Sequence, residues 1–340
     1  MNQKNIISKL TLEEKIAMIH AAGLFRSGAV KRLNIPSLVM SDGPSGVRQE
    51  FENDSWTPID DTTDFVSWLP SNTCLCTTWN PNLAHKFGEV LGNEARGRGK
   101  DVILAPGINI KRTPLCGRNF EYYSEDGVLS GYMAANAVVG AEKYGVYAYI
   151  KHFALNDQET NRTEMLCTWA TEQAIREINL KPFEIAVKEG GAKAVMSAFN
   201  YIGTTYAGGN NALLNNVLRG EWGFQGMVLT DYFGGYGYMD SDICIRNGND
   251  FCLVAYDMES NHLTDKTSAT SVIAMRQAAK NIMYTVVNSR AYDAANLQTG
   301  LMAWQIAMIV IDVILAAGVI GLEVVTIKKY RERKVNYIEV

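Results

Sequence analysis

YIKHFALNDQETNR, residues 149–162, decides how this chain folds. The apolar, aromatic-rich approach VYAYI (146–150) suits a buried strand, and it runs without a break into Lys151 and His152. Asn156, Asp157, Gln158, Glu159, Asn161 and Arg162 follow. A strand that ends on a cation, an imidazole and a crowd of amides and carboxylates presents functional groups at its carboxyl end, the habit of a parallel βα unit.

Working outward, the same rhythm recurs. Short apolar runs that stop on polar or glycine-rich residues occur at IPSLVMSDG (35–43), VILAPGINI (102–110), AKAVMSAFN (192–200), GMVLTDYF (226–233) and, more weakly, DFCLV (250–254). Helix-like stretches such as NLAHKFGEVLGNEARGRG and TEQAIREINLKPFEIAVKEG lie between them. With VYAYIKHF (146–153) these make six strand signals, which predict an α/β fold of the (β/α)8 TIM-barrel type, two strands weak or missing. No GxGxxG or GxxxxGK[ST] follows any run, so a doubly wound nucleotide fold has little support.

Composition narrows the function classes. The chain has 340 residues, 47% hydrophobic, with net charge −4, and its basic residues are scattered through the first 300, so no nucleic-acid footprint exists. Six dispersed cysteines (74, 76, 116, 167, 244 and 252) fit neither a disulfide framework nor a zinc pattern and read as free thiols; Cys74 and Cys76 alternate, as on one face of a strand. The four histidines show no metal-ligand spacing, and neither a metal nor another cofactor is expected.

The two ends differ. MNQKNIISKLTLEEKIAMIH lacks a secretion signal and reads as a helix with a capping box at Thr11 and Glu14. Residues 1–289 form the predicted barrel and 290–301 a polar linker. Residues 302–327 are long and apolar enough to cross a bilayer, Asp312 notwithstanding, and 328–340 form a basic tail. The positive-inside rule places that tail in the cytoplasm and the body outside, yet nothing upstream directs export. Either the chain is the carboxyl-terminal part of a longer product or the body stays inside.

What each run stops on gives the candidate chemistry. Asp42 follows LVMS, Lys151 and His152 follow VYAYI, Asn200 follows AVMSAF, Asp231 follows MVLT, and Arg118 lies in the irregular stretch PLCGRNFEYYSED. Each has an ordinary structural alternative: a turn at Asp42, a clamp from Arg118 to Glu121, a core histidine, a helix cap at Asp231. Their convergence on one mouth points instead to a ligand with several hydroxyls, and Phe199, Tyr201, Tyr232 and Phe233 add flat faces suited to a sugar ring.

At this point LTLEEKIAMI, SDGPSGVR, GRGKDVILAPGINIKRTPLCGRNFEYYSED, KHFALNDQETNR, AVMSAFNYIG, LRGEWGFQGMVLTDY and NGND, together spanning about residues 9–255, resemble glycoside hydrolase family 3, the family of many β-glucosidases and β-xylosidases. The resemblance implies a barrel-type catalytic domain and retaining, exo-acting hydrolysis through a covalent glycosyl-enzyme. It assigns the nucleophile to Asp231 and the gripping of sugar hydroxyls to Asp42, Arg48, Arg118, Lys151 and His152. Phe199 stands where many members have tyrosine, and Tyr232 replaces the tryptophan that commonly shapes the leaving-group side. Arg118 and Lys151 are expected to help keep Asp231 ionised.

A retaining site needs a second, protonated carboxyl. In the family's two-domain members it comes from a separate α/β sandwich domain, for which this chain has no room after residue 255. Asp157 or Glu159 is a weak substitute. The chain resembles the barrel half of members with reversed domain order, and a partner domain or chain is expected to complete the site. The alternative is a non-hydrolytic glycan-binding subunit, or pseudoenzyme, that keeps the grip and lacks the proton donor.

Overall fold

The computed structural model describes residues 6–48, 65–232, 236–254, 262–292 and 303–336, in two units that divide between Ala295 and Asn296. The first unit opens with the expected helix, Leu12–Ile19. Glu14 N donates to Thr11 Oγ1 (3.1 Å) and Thr11 N donates to Glu14 Oε2 (2.9 Å), so the capping box closes both ways.

The strands close into a ring. Met40–Asp42, Val102–Leu104 and Tyr147–Ala148 pair in parallel, Gly107 bridges Lys151, and Ile150–Phe153 continues to Ala194–Ser197 and then Met227–Leu229. Leu229 bridges Phe251, and Cys252 bridges His20. From there the hairpin Ala21–Gly23 and Arg26–Ser27 returns to Val39 and closes the circle. Arg26–Ser27 runs antiparallel to both neighbours. The two strands missing from the sequence reading are this hairpin, hidden in AAGLFRS because it follows the first helix at once and its short apolar run is broken by Gly23. DFCLV contributes only single bridges.

Alternation along these strands divides the core. Val102, Leu104, Tyr147, Tyr149, Ala194, Met196, Met227 and Leu229 belong to one buried cluster. Ile103, Ala148, Val195 and Val228 belong to another, shared with the helices Pro81–Gly97, Gly127–Glu142 and Lys181–Lys188. The first two of these helices touch closely: a Cβ on Gly88 would stand 2.0 Å from Ala137 O.

Several expectations change. Cys74 and Cys76 lie on the helix Asn72–Cys76, where a two-residue step turns one thiol outward and buries the other. All six cysteines are free. Arg290, assigned to the linker, is buried: its N donates to Gly145 O (3.0 Å), its Nη1 donates to Lys100 O (3.1 Å), and Asp101 Oδ1 is 3.5 Å away. The body therefore continues through Tyr292. Phe233 lies outside the described residues.

The described residues of the second unit form one helix, Ala303–Asn336, in which the basic stretch after Ile327 continues the apolar one without a break. Its segment Ile306–Arg333 is long and apolar enough to cross a membrane.

Candidate active site

The carboxyl ends of five ring strands surround a cavity of about 300 Å³ lined by Asp42, Leu104, Arg118, Lys151, His152, Arg162, Met196, Phe199, Asp231, Tyr232 and Tyr236. Leu104 and Met196 are the inward side chains of their strands and make its apolar floor. Asp42 and Asp231 are the carboxylates lining it among the described residues.

Asp42 ends its strand in a turn that only glycine can follow. Gly43 has φ +132°, and a Cβ there would come 1.7 Å from Gly46 O. Gly43 N donates to Asp42 Oδ1 (2.9 Å), and Lys151 Nζ donates to the same oxygen (2.7 Å). Burial alone raises the Asp42 carboxyl, but Lys151 and then Arg118 outweigh it and leave the group below its ordinary value.

His152 is held from both sides. Its backbone N donates to Asn109 Oδ1 (2.7 Å), Asn109 Nδ2 donates to its carbonyl (2.9 Å), and its Nδ1 meets Tyr122 Oη at 3.2 Å. Burial, followed by Arg118, Lys151 and Arg162, pushes the imidazole well below its usual range, so it stays neutral. Its Nε2 lies 3.6 Å from Asp231 Oδ2. Arg118 pairs through Nε with Glu121 Oε1, so one side chain both makes this clamp and lines the cavity.

Asp231 is 5% exposed. Its Oδ1 accepts from Tyr232 N (2.8 Å), while its buried Oδ2 has no hydrogen-bond partner. Burial raises its carboxyl above the ordinary value, and Arg118, Arg162 and Lys151 oppose that rise, as expected of Arg118 and Lys151.

Phe199 is buried with its ring under the Arg162 guanidinium, 4.8 Å from centroid to Cζ. Tyr232 donates from its hydroxyl to Leu24 O (3.2 Å) and sets its ring edge against Phe25, tying the Asp231 turn to the hairpin. Arg48 stands apart from the rest. It lines a neighbouring cavity of about 320 Å³ with Gly43, Pro44, Trp68 and Phe120, a cavity that shares Asp42 with the first. Asn200 is not at the mouth: its Nδ2 is taken by Ala154 O, Thr168 Oγ1 and Tyr201 O. Arg162 and Tyr236 line the cavity without having been assigned to it. Arg162 reads in sequence as part of a polar loop; Tyr236 follows the Asp231 run and was legible as one more aromatic there.

The model of the glycosyl hydrolase family 3 N terminal domain matches residues 5–243. The chain belongs to glycosyl hydrolase family 3. This family 3 chain is 44% identical over 229 residues to "Beta-glucosidase BoGH3A" of Bacteroides ovatus, covering 67% of this chain and 30% of that protein. It is 42% identical over 231 residues to "Beta-glucosidase B" of Emericella nidulans, covering 68% of this chain and 26% of that one. Among solved structures, β-glucosidase 3B from Thermotoga neapolitana in complex with α-D-glucose superposes with a TM-score of 0.76 at 36% identity, covering 88% of this chain and 44% of that one. The family 3 β-glucosidase of Bifidobacterium adolescentis gives 0.75 at 30% identity, covering 86% and 42%. The family 3 chain thus spans under a third of the length of these curated relatives and under half of these solved chains, and its first unit has their TIM-barrel-like α/β fold.

Proposed function

We propose that this chain is the nucleophile-bearing half of a retaining, exo-acting β-glycosidase, β-glucosidase-like in its terminal sugar. The observation that carries the reading is the position of Asp231: a buried carboxylate with one unpartnered oxygen, facing a cavity whose other polar walls are Asp42, Arg118, Lys151 and His152. That set supplies acceptors and donors for several hydroxyls, and a cavity of about 300 Å³ has room for one sugar ring. The relatives named β-glucosidase support the substrate class.

In the proposed reaction Asp231 Oδ2 attacks the anomeric carbon as the bond to the leaving oxygen breaks, and an acid protonates that oxygen. Water then hydrolyses the glycosyl-aspartate and releases the sugar. Among the described residues the cavity offers no second carboxyl in a position to be that acid: Asp42 is paired with Lys151 and held ionised, and neither Asp157 nor Glu159 lines the cavity. The acid is therefore assigned to a separate domain or chain, an α/β sandwich in the family's pattern. The C-terminal helix is assigned as a membrane anchor, with the barrel on the extracellular side.

The test uses the full chain in detergent micelles with 2,4-dinitrophenyl 2-deoxy-2-fluoro-β-D-glucoside, whose leaving group departs without a proton. The expected result is a covalent sugar adduct on Asp231, found by peptide mass spectrometry and absent from Asp231→Asn. A chain that binds glucose and never forms the adduct is instead a glycan-binding subunit, the reading favoured by the missing acid.

A further inference from the structure

Three cations line the sugar cavity, and the third has a seat unlike the other two. Arg118 is in direct contact with Glu121, and Lys151 with Asp42. Arg162 comes from the loop after Ile150–Phe153 and is fixed on three sides. Its Nη1 is 2.9 Å from Glu159 Oε2, its guanidinium lies over the Phe199 ring, and Tyr238 Oη approaches both Arg162 O (3.5 Å) and Phe199 O (3.1 Å).

We propose that Arg162 is a positioning residue for the nucleophile: seated by Glu159, Phe199 and Tyr238, it holds Asp231 in the ionised form that attacks the sugar. This rests on the reading of Asp231 as nucleophile. Asp231 has one backbone donor on Oδ1 and none on Oδ2, and the Phe199 ring beside it is hydrocarbon, with no donor to offer. A carboxylate so buried relies on nearby positive charge. Burial drives it up, Arg118 opposes first, and Arg162 comes next, ahead of Lys151. Burial raises the Glu159 carboxyl, and Arg118 and Arg162 oppose that rise. The other titratable groups in this neighbourhood are Glu121 against Arg118, Asp42 against Lys151, neutral His152 and Tyr238. An arginine held flat on a ring by a carboxylate keeps its distance to Asp231 whether or not substrate is present, which a mobile lysine would not.

The experiment measures the rate of Asp231 labelling by the same fluorinated dinitrophenyl glucoside against pH, in the full chain. Arg162→Gln is expected to move the acidic limb upward by about 1 pH unit. Arg162→Lys is expected to return the limb part of the way, and Glu159→Gln to move it downward by removing the opposing charge. Wild-type and Arg162→Gln limbs that coincide overturn the proposal, as does an equal loss of rate at every pH, which marks a binding role alone. If Arg162→Gln does not melt cooperatively, Glu159→Gln decides by itself, and an unmoved limb overturns the proposal. A wild-type chain that labels at no pH instead overturns the nucleophile reading on which this one stands.

Discussion

Lys151 reaches over the intervening strand Val102–Leu104 to place its Nζ 2.7 Å from Asp42 Oδ1, so two ring strands meet above a third. Lys151 is almost wholly buried and Asp42 is one-third open, at 3% and 33% side-chain exposure. The ammonium therefore has a fixed direction, while the carboxylate still has an oxygen to offer a ligand. Asp42→Asn keeps the shape and removes the charge. It is expected to weaken glucose binding about 10- to 100-fold, the worth of one or two charge-assisted hydrogen bonds, in a calorimetric titration. Unchanged affinity would separate Asp42 from the sugar.

His152 predicts an acid-sensitive fold. Its imidazole is held well below the ordinary 6.5, so the unfolded chain takes up the proton that the folded chain refuses. Stability from this group is full above pH 6.5 and falls as the pH drops below it. His152→Gln is expected to flatten the decline in melting temperature between pH 6.5 and 5, and a variant that declines as steeply as the wild type would contradict this.

Asp157 acts with the opposite sign. It is 3% exposed, one oxygen has no partner, and Arg112 is 3.8 Å from the other; burial raises the carboxyl to about 6. Below pH 3.8 both folded and unfolded forms are protonated, and from there to about 6 stability declines as the pH rises. Asp157→Asn is expected to be more stable than the wild type at pH 7.5, by up to roughly 3 kcal/mol, and equal to it near pH 3.5. Denaturant melts at the two pH values check both halves of the statement.

The proposed anchor gives a fractionation experiment. The full chain is expected to stay with membranes through alkaline carbonate and to leave them only with detergent, as a helix such as Ile306–Arg333 requires. A chain ended after Ala295 is expected in the supernatant. Recovery of the full chain in the supernatant would remove the membrane reading.

How much of this was legible in sequence follows from what each residue announces. Runs such as MVLT before Asp231 and VYAYI before Lys151 are visible because a strand buried on two faces must be apolar throughout and must then stop. The hairpin Ala21–Ser27 was not visible: its ring position is set by backbone pairing to Val39 and Cys252, and residues that alternate in burial along it do not alternate in polarity. Asn200 and Arg162 show the same limit at the site. Both are polar residues close after a strand, and only the fold decides that the amide faces carbonyls and the guanidinium faces the cavity. Cys74 and Cys76 misled because a two-residue spacing aligns side chains on a strand and separates them on a helix.

The grip of Arg290 on Gly145 and Lys100 marks where the barrel ends its chain: beside the amino ends of the strands that start at Val102 and Tyr147, on the side away from Asp231. A dye, an affinity tag or a surface linkage introduced just beyond Tyr292 therefore leaves the sugar cavity unobstructed, and an immobilised barrel would present its open end to a soluble glycoside.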